Sequence, residues 1–252
     1  MFYLPQFRAF CVAEEANATL HNMYTLRGAQ VRSGKRWAHW LDEAILLFGD
    51  DMELLFGSHH WPRWGREAAV EFLENQRDLY KYIHDQTLRL ANQGYTSREI
   101  AEMIELPDSL ALPWYNRGFY GSVKHNAKAT YQLYLGWFDG NPSNLNPLPP
   151  EPAAGKYLEY MGGSDAVLQR AAVDYARGEY RWVSEVLRQV VFAEPDAKRV
   201  AMAEQKFFDH HFVEYASSGL TKGKAAGVFD AQRYDLAIVL GREAEAALTR
   251  KG

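Results

Sequence analysis

The sequence predicts a mainly α-helical protein that begins with a short β segment. After Gly65, apolar residues recur at three- and four-residue steps through most of the chain, which is the period of amphipathic helices. Before Gly65, short apolar runs separated by breakers such as Pro5 have the length of strands. The 252 residues are 47% hydrophobic and 24% charged, which is the composition of a folded soluble protein.

Three strands and one helix are predicted in the β segment. The apolar runs at residues 2–4, 9–13 and 52–56 are typical of strands. Between the second and third runs, a helix is predicted to end at Gly49. Its apolar residues at helical spacing are Trp37, Trp40, Leu41, Ala44, Ile45 and Phe48.

The remainder of the chain is predicted to be helical. A long helix at residues 66–93 stops at Gly94, and Thr96 with Glu99 has the spacing of a capping box for the next helix. The proline-rich stretch at residues 140–152 predicts a loop or linker. Further helices are predicted at residues 123–135, 153–161, 165–176, 180–192, 196–216 and, less regularly, 231–250.

Two of these helices flank Gly178 and are followed by Pro195, which is the pattern of one tetratricopeptide-like hairpin. A repeat array needs several such units. The pattern therefore predicts a packed helical pair.

Composition limits the classes of partner. A net charge of -4 and a pI near 6.1 argue against an extended nucleic-acid-binding surface. No apolar stretch approaches the ~20 residues that cross a bilayer, and residues 1–10 lack the order of a signal peptide. Cys11, the single cysteine, excludes an intramolecular disulfide and a cysteine zinc cluster. The compartment is left open.

Two adjacent histidines in "FGSHHWPRWG" are candidates for metal binding. His59 and His60 follow a predicted strand, and neutral imidazole suits zinc. Side chains of an extended pair point to opposite faces, so at most one is expected to bind. Surface residues at the mouth of a turn are the alternative interpretation.

The other helical histidines are weaker candidates. His39 and His84 lie inside predicted helices, where a structural or surface role is the usual one. His210 and His211 are neighbours on a predicted helix and point about 100° apart, so they are not expected to share a metal.

Acidic and amide side chains follow the second predicted strand. Glu14 and Glu15 are candidates for a metal ligand or an acid/base position, with a solvated strand end as the alternative. Asn22 and Arg27, in "TLHNMYTLRGA", together suit an oxyanion, because arginine offers a charged fork of donors.

Several stretches, in this order, resemble the linear alkyl sulfatases. That family is a branch of the metallo-β-lactamase superfamily that hydrolyses sulfate esters of long-chain alcohols, including detergents such as dodecyl sulfate. The resemblance runs from residue 2 to about Gln205. It is carried by "FYLPQFRAFCVAE", "TLHNMYTLRGAQVRSGKRWAHWLDEA", "SHHWPRWG", "QRDLYKYIHDQTLRLANQGYTSREIAE", "WYNRGFYGSVKHNAKATYQLYLGWFDGNPSNLNPLPP" and "YMGG".

The resemblance implies a domain organisation. Residues 1–62 would be the C-terminal remnant of a metallo-β-lactamase-like αββα catalytic domain. Residues 65–216 would form the all-α dimerisation domain, and residues 217–252 a divergent helical tail. A homodimer that acts on long-chain alkyl sulfates is implied. The family is often periplasmic or secreted.

The resemblance also implies site residues. Glu14 and His59 match metal ligands of a binuclear zinc site; the seven-residue spacing to His21 selects Glu14 over Glu15. Asn22 and Arg27 match sulfate-binding positions. By the same resemblance, Tyr120 and His125 match catalytic positions that line the substrate site from the helical domain.

One family motif is absent from the sequence. The His-x-His-x-Asp-His zinc motif and a further upstream Glu do not occur, whereas zinc takes about three or four protein ligands per site. We therefore expect the chain by itself to be inactive. The alternative is a non-catalytic helical dimerisation or binding module, and a tetratricopeptide-like peptide adaptor is a third interpretation.

Overall fold

The computed structural model describes residues 1–26, 28–118 and 120–193. The chain divides into two compact units, Met1–Asn141 and Pro142–Gly252. Arg27, His210 and His211 lie outside the described residues. So do the helices predicted at residues 196–216 and 231–250 and the tail predicted at residues 217–252.

A four-stranded sheet opens the first unit. Its strands are β1 (Phe2–Leu4), β2 (Ala9–Cys11), β3 (Leu54–Phe56) and β4 (Arg63–Trp64), in the order β1-β2-β3-β4. The outer pairs are antiparallel, whereas β2 and β3 are parallel, with Phe10 opposite Leu55. Parallel neighbours need a crossover connection, and the helix α1 (Gly34–Phe48) provides it.

The strand predictions need correction, and the run at residues 52–56 is strand only over Leu54–Phe56. The run at residues 9–13 is strand only to Cys11, because Ala13 has a left-handed φ of 51° that turns the chain. The strand β4 was not predicted, since two residues are too few to show an alternating pattern.

Four helices complete the first unit. They are α2 (Arg66–Ala91), α3 (Ser97–Met103), α4 (Asp108–Ala111) and α5 (Val123–Leu135). The predicted capping box of α3 is confirmed, with the Thr96 backbone N–H donating to Glu99 over 2.8 Å. The four-residue α4 was missed, because it fits between Pro107 and Pro113 without room for an apolar period.

One hydrophobic core joins the sheet to the helices of this unit. Phe10 and Leu55 of the sheet share it with Leu41 of α1 and Phe72 of α2. The domain boundary predicted near residues 62–65 therefore falls inside a single compact unit.

The described part of the second unit consists of α6 (Pro150–Met161), α7 (Ser164–Ala176) and α8 (Tyr180–Ala193). The pair α7 and α8 is the predicted helical hairpin. The linker predicted to reach residue 152 ends earlier, because the first turn of a helix tolerates proline and α6 begins at Pro150. The core of this part contains Leu158, Val167, Leu168, Ala171, Val183, Val186, Leu187 and Val190.

The predicted fold class is confirmed. The described residues contain eight α-helices and four short strands. Among them, no helix has both the length and the apolar character that crossing a membrane requires.

Candidate functional site

The loop between β2 and α1 carries most of the candidate residues and is fixed by backbone contacts. The Leu20 N–H donates to the Arg117 carbonyl over 2.9 Å, and the Gly121 N–H donates to the Leu20 carbonyl over 2.9 Å. A Cβ on Gly121 would lie 2.7 Å from the backbone nitrogen of Asn22. Only glycine therefore lets the segment before α5 approach this loop so closely.

The parallel pairing of β2 and β3 brings Glu14 and His59 to the same edge of the sheet. The Val12 N–H donates to the Phe56 carbonyl over 2.9 Å and extends this pairing. The left-handed Ala13 then turns the chain, and its carbonyl accepts from the Ser58 N–H over 3.1 Å. The carboxyl ends of parallel strands are a common place for functional groups, because loops on a rigid scaffold present them there.

Glu14 and His59 are in direct contact. Oε1 of Glu14 lies 2.9 Å from Nε2 of His59, and both side chains are about half exposed. The hydrogen bond with His59 is the main reason that the pKa of Glu14 is lowered. Glu14 is therefore an ionised acceptor at neutral pH.

His60 faces away from this pair. Its Nε2 lies 3.1 Å from the Ala16 carbonyl, and its Nδ1 lies 2.9 Å from the carbonyl of Trp61. Both ring nitrogens thus face carbonyl oxygens. Of the two adjacent histidines, His59 is the one beside Glu14.

His21 lies buried behind Glu14. Its Nδ1 lies 2.8 Å from the Asn22 carbonyl, and its Nε2 lies 3.8 Å from Oε2 of Glu14. Its ring meets those of Trp37 and Tyr120 edge to face at 5.6 and 4.8 Å. Burial lowers the pKa of His21, so the ring is neutral at neutral pH. From the sequence, His21 is identified only by its seven-residue spacing from Glu14, which gives no sign of its burial.

Asn22 is held from two sides. Its Nδ2 donates to the Tyr120 carbonyl over 3.2 Å, while Nη1 of Arg32 donates to both its Oδ1 and its carbonyl over 3.0 Å. The guanidinium of Arg32 also lies 5.9 Å from the Trp37 ring centroid. The sequence analysis does not identify Arg32 as a site residue. Its position in the same loop as Asn22 is the one feature of the sequence that points to this contact.

The two positions predicted from the helical part lie beside this loop. Tyr120 contacts His21 through its ring and Asn22 through its carbonyl. His125, at the start of α5, donates from Nε2 to the Tyr24 carbonyl over 2.8 Å, and burial lowers its pKa. The catalytic roles of both residues remain predictions.

Asn126 was also missed by sequence reasoning. Its Oδ1 accepts from the Met23 N–H over 2.8 Å, and its Nδ2 donates to the His21 carbonyl over 2.9 Å. This buried amide therefore ties α5 to the backbone on either side of Asn22. A single asparagine inside a helical pattern carries no signal of such a contact.

Glu14 and His59 fit zinc as part of a donor set. Zinc in proteins is bound by carboxylate oxygen and imidazole nitrogen, and these are the two atoms that meet here, Oε1 of Glu14 and Nε2 of His59. In the described part of the chain, no group of three or more His, Cys, Asp or Glu side chains is placed to hold a metal.

The chain is similar to known sulfatases. A family model described as alkyl sulfatase dimerisation matches residues 96–220. The alkyl/aryl-sulfatase BDS1 of Saccharomyces cerevisiae is 54% identical over 196 residues, which is 78% of this chain and 30% of that protein. A linear primary-alkylsulfatase of Pseudomonas sp. is 52% identical over 196 residues, 78% of this chain and 29% of that protein.

A solved structure has the same fold. The stereoselective inverting sec-alkylsulfatase Pisa1 from Pseudomonas sp. superposes with a TM-score of 0.81 at 36% sequence identity, covering 92% of this chain and 36% of that one. This chain spans about 30% of the length of the curated relatives that it matches.

Proposed function

This chain is homologous to the alkyl sulfatases and carries an alkyl sulfatase dimerisation domain, and from this relationship we propose that it supplies part of a zinc-dependent sulfatase site. The proposed reaction is hydrolysis of sulfate esters of long-chain alcohols to alcohol and sulfate. The observation that carries the proposal is the contact of Glu14 with His59 at the strand ends, with His21, the residue before Asn22, 3.8 Å from Glu14.

The metal would be held in part by the carboxylate of Glu14 and by Nε2 of His59. Zinc, when bound, supplies a Lewis acid and activates water. The hydrogen bond with His59 lowers the pKa of Glu14, so the carboxylate is in the state that a metal ligand needs, and zinc would take the place of the proton on Nε2 of His59.

Asn22 and Arg27 would hold the sulfate group. The Oδ1 of Asn22 accepts from Arg32, which fixes the amide and leaves its NH2 group as the donor to an anion. One of those two N–H groups bonds the Tyr120 carbonyl. Donors held in place before the reaction stabilise the developing charge without reorganising, and this is the role proposed for Asn22.

Tyr120 and His125 would line the substrate site from the helical part. The ring of Tyr120 packs on His21, so its position is set by the same loop that carries Asn22. The Nε2–H of His125 is bound to the Tyr24 carbonyl, so a proton-transfer role requires that bond to break. We therefore expect His125 to shape the site more than to move a proton.

The zinc proposal is tested by calorimetric titration of the chain with zinc. Glu14→Gln and His59→Gln each remove a donor, and each is expected to weaken zinc binding by about tenfold or more. His39→Gln, at an exposed position of α1, is the matched control and should bind like the wild type. Zinc affinity that is unchanged in both site variants would contradict the proposal.

A second candidate function follows from the number of donors. Glu14 and His59 are two side chains, fewer than the three or four that zinc usually takes. The chain would then be a non-catalytic helical dimerisation or binding module. Hydrolysis of dodecyl sulfate by the zinc-loaded chain would rule out this second candidate, whereas dimers without zinc binding or turnover would support it.

A further inference from the structure

A second group of chemically active side chains lies between α2 and α5, apart from the candidate metal residues. Nδ1 of His84 lies 2.8 Å from Oδ1 of Asp85, and Nε2 of His84 lies 2.9 Å from the hydroxyl of Tyr134. A carboxylate, an imidazole and a hydroxyl are thus connected in this order by hydrogen bonds. None of the three takes part in the proposed zinc chemistry.

The protonation of this group sets the direction of its hydrogen bonds. Burial opposes the ionisation of Asp85, but hydrogen bonds from Lys81 and His84 outweigh it and lower the pKa of Asp85. The ionised carboxylate can only accept, so Nδ1 of His84 carries the proton. In the tautomer with its single proton on Nδ1, Nε2 presents a lone pair that can accept the O–H of Tyr134.

This order of groups is the one used to activate hydroxyl nucleophiles. An acid orients an imidazole, and the imidazole takes the proton of the hydroxyl as it attacks. The solvent exposure of the two residues fits a buried base and an accessible nucleophile. His84 is 4% exposed, whereas Tyr134 is 47% exposed and can meet a reagent from solvent.

We propose that Tyr134 is a nucleophilic tyrosine that accepts sulfonyl or acyl groups from activated donors, with His84 as its base. The phenolic oxygen bonds to the electrophilic sulfur or carbonyl carbon, and the leaving group departs with its bonding electron pair. The phenolic proton passes to Nε2 of His84. Asp85 is a positioning residue, because it touches His84 and not the reacting atoms.

The first test compares two tyrosines of the wild-type chain. The chain is treated with phenylmethylsulfonyl fluoride near neutral pH, and the rate of modification at each tyrosine is measured by peptide mass mapping. Tyr157 is the internal control, because it is 54% exposed and has no imidazole partner in the described part of the chain. Tyr134 is expected to react faster than Tyr157 by about tenfold or more. Equal rates would overturn the proposal.

The second test removes the orienting carboxylate. Asp85→Asn should slow modification of Tyr134 and leave the rate at Tyr157 unchanged, while Asp85→Glu should restore part of the rate. Tyr134→Phe should abolish the adduct in the corresponding peptide. A rate at Tyr134 that is the same in wild type and Asp85→Asn would refute activation through His84. The wild-type comparison stands even where a variant does not fold.

Discussion

At the residue scale, the candidate site depends on backbone positions as much as on side chains. Ala13 adopts a left-handed φ of 51° immediately before Glu14 and so sets where its carboxylate points. A non-glycine residue in that region costs about 1–3 kcal/mol and persists only where the surroundings hold it. The hydrogen bond from the Ser58 N–H to the Ala13 carbonyl is one such restraint.

Gly121→Ala tests the close approach of the segment before α5. The new Cβ would lie within 2.8 Å of the Asn22 backbone, so the segment must move, and we expect a loss of about 1–3 kcal/mol in the free energy of unfolding. Urea unfolding measures this loss.

Gly155→Ala is the control, because a Cβ meets nothing within 4 Å there. In the middle of α6 it should stabilise by about 0.5–1 kcal/mol. Equal effects of the two variants would contradict the steric argument.

The burial of His125 predicts a pH dependence of stability. Burial lowers its pKa below the ordinary 6.5, so the unfolded chain takes up a proton before the folded chain does. The free energy of unfolding should therefore fall as the pH drops below about 6.5, and remain level above it. His21 contributes with the same sign.

His125→Gln isolates this contribution, since the glutamine amide can still donate to the Tyr24 carbonyl. Thermal unfolding is followed between pH 8 and pH 5, which brackets the titration of histidine near 6.5. The variant should lose less stability on acidification than the wild type. Parallel curves for the two proteins would show that His125 does not carry the effect.

At the element scale, the pair α1 and α2 positions the site. The rings of Trp37 and Tyr80 stack at 4.4 Å between these helices, and the Tyr80 hydroxyl accepts from the backbone N–H of His21 over 3.1 Å. Tyr80 is fully buried, and burial raises its pKa, so the hydroxyl stays neutral. Tyr80 therefore links the packing of α1 against α2 to the loop that carries Asn22.

The short helix α3 depends on its capping box. It has seven residues, too few for a helix to be stable without caps or packing. Thr96→Ala removes the side-chain cap and should destabilise α3 by about 1 kcal/mol. Amide hydrogen exchange at residues 97–103 should speed up accordingly. Thr96→Ser keeps the hydroxyl and should behave like the wild type; equal exchange in the alanine variant would show that packing alone holds α3.

At the scale of the whole molecule, the sheet and the helices α1 and α2 share one core. Phe10, Leu55, Leu41 and Phe72 all contribute to it. Burial of apolar area is the main stabilising term in folding, so the sheet residues and the helices stabilise each other. The β segment is thus structurally continuous with the first part of the helical region.

The match to alkyl sulfatase dimerisation at residues 96–220 predicts a homodimer in solution. Sedimentation equilibrium should give a mass of twice 28.8 kDa at micromolar concentrations, and the Tm should rise with protein concentration. A mass of 28.8 kDa at every concentration would contradict this prediction.

The helices were the part of the fold that the sequence could predict. The helix α5 has its predicted bounds, and α2 ends two residues earlier than predicted. Their period of apolar residues repeats over many turns, so the signal accumulates. The strand β4 and the helix α4 have two and four residues, and elements of that size form through tertiary contacts.

For the candidate site, the sequence by itself determined which residue types were available and, through the resemblance, singled out Glu14, His59 and Asn22. Only the tertiary structure decided that Glu14 meets His59, that Arg32 holds Asn22, and that His84 joins Asp85 to Tyr134. Helical periods are local and can be read along the chain. The contact between Glu14 and His59 joins residues 45 positions apart, which become neighbours only when β2 pairs with β3.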